Sequence, residues 1–544
     1  MNVNSIYNFL YRKANQVMDL GVTNAYGQEP DSPEKIDYLI VTRDMFVGSL
    51  QPLVDKKTSQ GLKVELKTLE WLMDPANNIS GRDPQEKIRN YIKDKYQNNG
   101  LKWVLLAGDA DGADDPVTDP TINPTNIDKA WEIPLRYIYF PNQEGAGRYY
   151  YIPTEHYYAC LDGNWDNNND GTYSESEINL TPKVYVGRLP AQTTEEMVNM
   201  VNKIVNYVPP SDPKFLLVGA IMEPIPGSED TSEVCDYIET HYIPNSVSTY
   251  KLYSKNNNLN KTNVINQINN GNYSFVITTG HGNSDNVSAQ GVQYFSASSD
   301  ISSMNNAKPL LWYSQACLNA YFDRRMNDSC MGEKIVKNSA AGAIAFIGCT
   351  REVGAGKHPQ GNDIGEYDSA QNCLFWKDFF KGTYKLGNSY YDSIRDYVQI
   401  FDMTIKDNKY EVLTSILFGD PELTILKDLV PPSITIDPVA TPTKGPVTLS
   451  YTVSDNVSPK EKIAVTGNKS PYTAEGQHSV TLTAKDEAGN TAAATTSFVI
   501  ENTATNGSDT TQPSEPDKNN LLSYLVMGLA ALIAMILGLG KSKE

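Results

Sequence analysis

Between about Pro33 and Leu426 the chain alternates between two hydrophobic patterns. Short, nearly unbroken apolar runs (Tyr38–Thr42, Trp103–Ala107, Val184–Val186, Phe215–Gly219, Phe275–Thr279, Leu310–Tyr313 and Ala343–Gly348) are separated by stretches such as DPQEKIRNYIKDKYQ and TTEEMVNMVNKIVNYV, where apolar residues recur every three or four positions. A strand that is apolar throughout is buried on both faces, so the alternation predicts parallel strands between amphipathic helices, an α/β fold. The polar stretch Pro209–Lys214 divides the region into an N-terminal part, 33–208, and a second part, 209–429.

Behind it the period changes. From 430 to 500 the segments SITIDPV, VTLSYTVSD, HSVTLTAKDEAG and TTSFVIE alternate apolar and polar residues between turn residues, which predicts a small immunoglobulin-like β-sandwich. Residues 501–520 are almost without apolar side chains and read as a flexible linker. The run Leu521–Gly540 carries no charge and is followed by Lys541 and Lys543. At about 1.5 Å per residue it reaches across the roughly 30 Å hydrocarbon layer, so it predicts a transmembrane anchor. The terminal lysines place the rest of the chain outside, at the cell surface. Residues 1–32 lack an uninterrupted apolar segment of the signal-peptide kind, and are read as an extension or the remnant of a propeptide.

Charge narrows the partners. Against 46 basic side chains stand 65 acidic ones, a net charge of −19, which excludes nucleic acid as a partner because binding it needs clustered positive charge. Six cysteines without any CxxC pair signal neither a zinc site nor a disulfide framework. Glycosylation tripeptides at Asn78, Asn260, Asn272, Asn286 and Asn456 suit an exported protein.

Two strand ends carry candidate chemistry, since sites in open parallel sheets lie beyond the carboxyl ends of the strands. The run Ser274–Thr279 ends in Gly280-His281-Gly282, and Pro309–Gln315 ends in Ala316-Cys317. Adjacent strands would bring the thiol of Cys317 within reach of the imidazole of His281. The imidazole then takes the thiol proton and later returns it to the leaving amine. Backbone N–H groups of Gly282 and Cys317 are the candidate oxyanion donors, each worth on the order of 3 kcal/mol. The remaining histidines, His156, His241, His358 and His478, have no ligand spacing and are assigned to packing or surface.

His-Gly after one apolar strand and Ala-Cys after the next resembles the caspase, legumain, clostripain and gingipain group of cysteine peptidases. The separation of the two residues is shorter than the roughly 50 of caspases, and Leu318-Asn319 replaces their Arg-Gly. The surroundings (YLIVT, LLAGDADG, HYYACLDGNWD, VYVGRLPA, CLNAYFD, GAIAFIGCT and LFGDPEL) are similar to the gingipain family over about Asp37–Leu426. That resemblance implies a two-part caspase-like catalytic unit with an immunoglobulin-like module behind it. It also implies protein or peptide substrates, a basic P1 side chain and an acidic third member beside the histidine. No residue aligns with that acid; Glu155, Asp285, Asp323 and Glu352 are the nominees for it or for the P1 pocket. Two other readings use the same residues: a surface adhesin on a peptidase-like fold, and a transpeptidase that passes the acyl group to an amine.

A second constellation runs from Asp166 to Glu177. It matches the twelve-residue calcium loop, with Asp166, Asn168, Asp170, Thr172, Ser174 and Glu177 as oxygen donors and Gly171 at the turn. The helices that flank such loops in EF-hands are not predicted, so calcium would here be structural.

Overall fold

The computed structural model describes residues 34–501, apart from 111–131, 141–150, 175, 177, 324–328, 340, 355 and 382–383. The extension 1–32, Glu177, the linker beyond Glu501 and the apolar run Leu521–Gly540 therefore lie outside the described residues. Among the described residues no helix is long and apolar enough to cross a membrane.

The chain forms two compact units, the first reaching to Pro432 and regaining Ser454–Ile463 and Lys485–Thr491. At its centre is a ten-stranded sheet in the order Val64–Thr68, Tyr38–Thr42, Trp103–Ala107, Tyr185–Leu189, Ser415–Phe418, Ala343–Cys349, Leu310–Gln315, Phe275–Thr279, Lys214–Gly219, Ser248–Tyr253. All seven predicted apolar runs fall on these strands, and Tyr38–Thr42, Trp103–Ala107, Phe275–Thr279, Leu310–Gln315 and Ala343–Cys349 are buried along their whole length. The first five in the order are mutually parallel. So are the last five. Between Ser415–Phe418 and Ala343–Cys349 the pairing is antiparallel, so the carboxyl ends of the two halves face opposite edges of one continuous sheet.

The helices begin and end where their sequences provide caps. Asp83 starts Pro84–Asn99 by accepting the N–H of Glu86 at 2.7 Å, and Gly100 ends it at φ 76°, a left-handed conformation that costs glycine little. Thr193 and Glu196 close a reciprocal capping box at the start of Thr194–Val205.

Among its described residues the second unit is all β. Ser433–Ile436 pairs with Tyr451–Ser454, and Ala464–Thr466, Gly476–Lys485 and Thr491–Ile500 form a three-stranded sheet. Its small core is Val447, Leu449, Val480, Leu482, Phe498 and Ile500, supplied by the alternating positions of the sequence.

Candidate active site

Three neighbouring parallel strands of the second half, Lys214–Gly219, Phe275–Thr279 and Leu310–Gln315, end at the same sheet edge. Thr279 lies opposite Gln315, and His281 and Cys317 each stand two residues beyond that last registered pair. Past the strand, His281–Gly282 turns into a small antiparallel sheet with Asn286–Ala289 and Val292–Ser296. Gly282 is pressed onto the main chain of Cys317: a Cβ there would lie 2.3 Å from the carbonyl oxygen of Cys317 and 2.9 Å from its nitrogen. Only glycine permits that approach.

Cys317 sits on a tight turn whose next residue, Leu318, takes φ 60°, an uncommon conformation for a bulky side chain. The turn is held by Leu318 N–H on Arg351 O at 3.2 Å and Ala320 N–H on Cys349 O at 3.0 Å. Asn319, fully buried, ties it to the histidine loop. Its Nδ2 donates to the carbonyl oxygens of Asn283 at 2.7 Å and Asn286 at 3.0 Å, and its Oδ1 accepts from Ser314 Oγ at 2.6 Å.

The sulfur lies against Val353, whose N–H donates to Sγ at 3.4 Å and whose carbonyl accepts at 3.5 Å. Burial pushes the Cys317 thiol up to about 11; the Val353 N–H works against that, and the carboxylates of Asp368, Glu352 and Glu411 add to it. Asp368 and Glu411 are themselves buried and held above the usual carboxylate range, first by burial and then by neighbouring acids. Gln315 Nε2 donates to Asp368 at 3.1 Å, and Gly354 N–H donates to Glu411 at 3.0 Å.

His281 is half exposed, and its Nε2 lies 2.9 Å from Glu223 Oε1. Glu223 follows the strand Lys214–Gly219 on a loop closed by its own N–H on Ser228 Oγ at 2.7 Å and by Met222 N–H on Glu229 O at 2.8 Å. The sequence did not single out Glu223 or Asn319. The nominees Glu155, Asp285 and Asp323 are committed elsewhere. Glu155 faces Arg188 Nη2 at 2.6 Å, Asp285 is 2.9 Å from Ser298 N and 3.0 Å from Lys334 Nζ, and Asp323 is gripped by Arg351 at 2.6 and 2.8 Å. Glu352 adjoins Val353 and acts on the thiol only through its charge.

The other histidines pack as assigned, with one addition. His156 is buried against Tyr390 and Tyr391, His241 stacks on Tyr237, and His478 stacks on Phe498. His358 instead pairs with Glu229 at 2.7 Å and Glu233 at 3.3 Å, which raises it above the ordinary imidazole value despite burial.

In the loop from Asp166 the carboxylates fold onto donors of the chain. Asp166 is buried, takes the N–H groups of Asp170 and Gly171 at 3.1 Å, and pairs with Arg82. Asp170 accepts from Thr172 N–H at 2.7 Å and from Asn168 Nδ2 at 2.8 Å. The contact from Gly171 to Asp166 closes the turn, Thr172 follows it, and Ser174 forms a β-bridge with Tyr139.

No curated protein sequence matches the chain. Among solved structures, the complex of the pro- and mature domains of RgpB from Porphyromonas gingivalis is similar in fold at a TM-score of 0.53 and 16% identity, covering 86% of this chain and all of that one. The Arg-specific cysteine proteinase gingipain R (RgpB) is similar at 0.52 and 17% identity, over 88% of this chain and all of that one. The family model of peptidase family C25 matches residues 31–426, the span that holds the ten-stranded sheet and both strand ends described above, and the chain belongs to that family.

Proposed function

We propose that the protein is a cysteine endopeptidase in which Cys317 attacks the scissile carbonyl and His281 takes the thiol proton. The observation that carries this is the placement of the two side chains two residues beyond the same registered pair of adjacent strands, with Gly282 against the Cys317 main chain. A thiol held near 11 is neutral in the resting state, so attack requires a base; the imidazole, open on one side to substrate, is that base. Glu223 fixes the ring and favours the imidazolium that forms, the part the acidic third member plays. The acyl-enzyme forms as the thiolate adds and the peptide nitrogen leaves with the imidazole's proton. Water, deprotonated by the same ring, releases the acid. The N–H groups of Gly282 and Cys317 receive the carbonyl oxygen during both steps.

The preferred P1 side chain is basic. A cation bound beside Cys317 would find its countercharge among Asp368, Glu352 and Glu411, the carboxylates that act on the thiol. Because Asp368 and Glu411 hold their protons above the usual range, preference for Arg and Lys over a neutral P1 should grow as pH rises. Fluorogenic peptides differing only at P1 measure this, and equal cleavage of neutral P1 residues at all pH values would remove the assignment.

The same reading puts the catalytic unit at a cell surface on the anchor Leu521–Gly540, behind an immunoglobulin-like module of residues 430–500, with calcium held by Asp166, Asn168, Asp170, Thr172, Ser174 and Glu177. For the nucleophile the test is covalent labelling by an acyloxymethyl ketone. Cys317→Ala should lose the label and keep the fold; a label that survives in this variant and disappears in Cys330→Ala or Cys349→Ala would overturn the reading.

A further inference from the structure

Away from the sheet edge, the first unit contains three aspartates with no cationic partner among the described residues. Asp428 lies beyond the last strand of the sheet, and Asp455 and Asp486 lie on the two segments, Ser454–Ile463 and Lys485–Thr491, that return to this unit. One carboxylate oxygen from each falls within 4.8 Å of the others. Asp428 is 6% exposed and Asp486 4%. Buried carboxylates are normally paired with a cation or neutralised by hydrogen bonds. Here Asp428 Oδ2 and Asp455 Oδ1 are buried and accept no hydrogen bond at all. The nearby Lys462 turns to Glu487 instead, at 3.9 Å.

The opposite oxygens are held firmly. Asp428 Oδ1 accepts Val430 N–H at 3.0 Å, and Asp455 Oδ2 accepts the N–H groups of Val457 at 3.0 Å and Ser458 at 2.7 Å. Asn490 donates its N–H to Asp486 Oδ1 at 2.8 Å and its side-chain amide to Asp486 Oδ2 at 2.9 Å. That amide also reaches the carbonyl of Asp428 at 3.0 Å. Main-chain and amide donors thus orient the three carboxylates toward one another, against their mutual repulsion, and leave a buried acceptor unmet on two of them.

We propose that Asp428, Asp455 and Asp486 bind one calcium ion that pins the two returning segments to the end of the catalytic unit. The donors are all oxygen, with no histidine or cysteine, which suits a hard cation and not zinc. Three carboxylates leave room for the water or carbonyl oxygens that complete a coordination number of six to eight, which calcium accepts more readily than magnesium. This site is separate from the loop at Asp166 and from the peptidase reading, and its failure would leave both standing.

The experiment uses the full chain carrying Asp170→Ala, so that the other loop does not contribute. Calcium binding is measured by isothermal titration, and melting is followed with calcium or with EGTA. One equivalent of calcium should bind to this background, and none after Asp428→Asn and Asp486→Asn are added. Melting temperatures should cross over. In EGTA the Asn variants should melt higher than their parent, because an unmet buried charge has been removed; in calcium the parent should melt higher. A parent that binds no calcium overturns the proposal, as do Asn variants that bind as well as the parent. If the double variant does not fold, Asp455→Asn alone serves: its half-exposed side chain tolerates the change, and undiminished affinity there overturns the proposal equally.

Discussion

The two halves of the central sheet are built alike and finished differently. In the first half the carboxyl edge is closed by the chain itself: Thr42 Oγ1 donates to Ala107 O at 2.8 Å, Gly108 N–H to Leu189 O at 2.9 Å, and Asp109 N–H to Ala191 O at 2.9 Å. Charged side chains there form buried pairs, Arg188 with Glu155 at 2.6 Å and Lys57 with Asp420 and Glu422 at 2.5 and 2.6 Å. In the second half the strands of the corresponding edge lead into Glu223, His281 and Cys317, and the first two of these are half exposed. A polar strand end that has found a buried partner contributes to the fold; one left half-exposed is available to a substrate.

The sharpest way to break this contrast is one substitution on each side. His281→Ala should lower turnover of a peptide substrate by on the order of 10⁵–10⁶-fold, since removing one member of a catalytic unit costs nearly as much as removing all. Its melting temperature should stay at the wild-type value, because the side chain is half exposed and packs little. Glu155→Ala should do the reverse. It leaves the guanidinium of Arg188 buried without its carboxylate, at a cost of about 3–5 kcal/mol, while the molecules that remain folded label at Cys317 as before. Denaturant melts and active-site titration on both variants decide it. If His281→Ala unfolds the protein, or Glu155→Ala abolishes labelling in folded molecules, the division of labour is wrong.

A smaller effect belongs to the first half alone. Calcium in the loop from Asp166 to Glu177 should add about 2.7 kcal/mol of stability at a hundredfold excess over its Kd, since it binds the native state only. In an Asp486→Asn background, addition of EGTA should lower the melting temperature, and Asp170→Ala should remove that response. Identical melting with and without EGTA would reduce the motif to an Asx-rich turn.

How far the chain announced all this depends on whether the signal was local. The inner strands were legible because burial on both faces demands unbroken apolar runs. The placement of Cys317 and His281 at neighbouring strand ends was legible because each follows such a run directly. Ser248–Tyr253 was not, since an edge strand buries only part of its length and its exposed Ser248 and Tyr250 break the pattern. The reversal of direction at Ser415–Phe418 could not be read at all: four buried residues after a helix say nothing about which neighbour they pair with or in which sense. Glu223 was missed because it shares its loop with Glu229 and Asp230, and only the fold distinguishes the acid that meets His281 from those that do not. The nominees Glu155, Asp285 and Asp323 failed for the complementary reason, their cationic partners being distant in sequence.

The finest test concerns Glu223 itself, which could be a positioning residue or an incidental surface contact. In the proposed mechanism its carboxylate, 2.9 Å from Nε2, would stabilise the imidazolium and through it the thiolate, and so let a thiol that burial pushes up to about 11 react at neutral pH. Glu223→Gln keeps the hydrogen bond and removes the charge. Alkylation of Cys317 by iodoacetamide at pH 7 should then slow on the order of 10–100-fold, the range typical when a partner orienting a working histidine is lost. The sign of the pH dependence follows. As pH rises toward 11 the thiol ionises without help, so the deficit of the variant should shrink and the two rates converge. Glu223→Asp should recover part of the neutral-pH rate, because it restores the charge on a shorter arm. A deficit that is the same at every pH would mean that Glu223 only shapes the loop, and no deficit at pH 7 would mean that His281 draws its support from elsewhere.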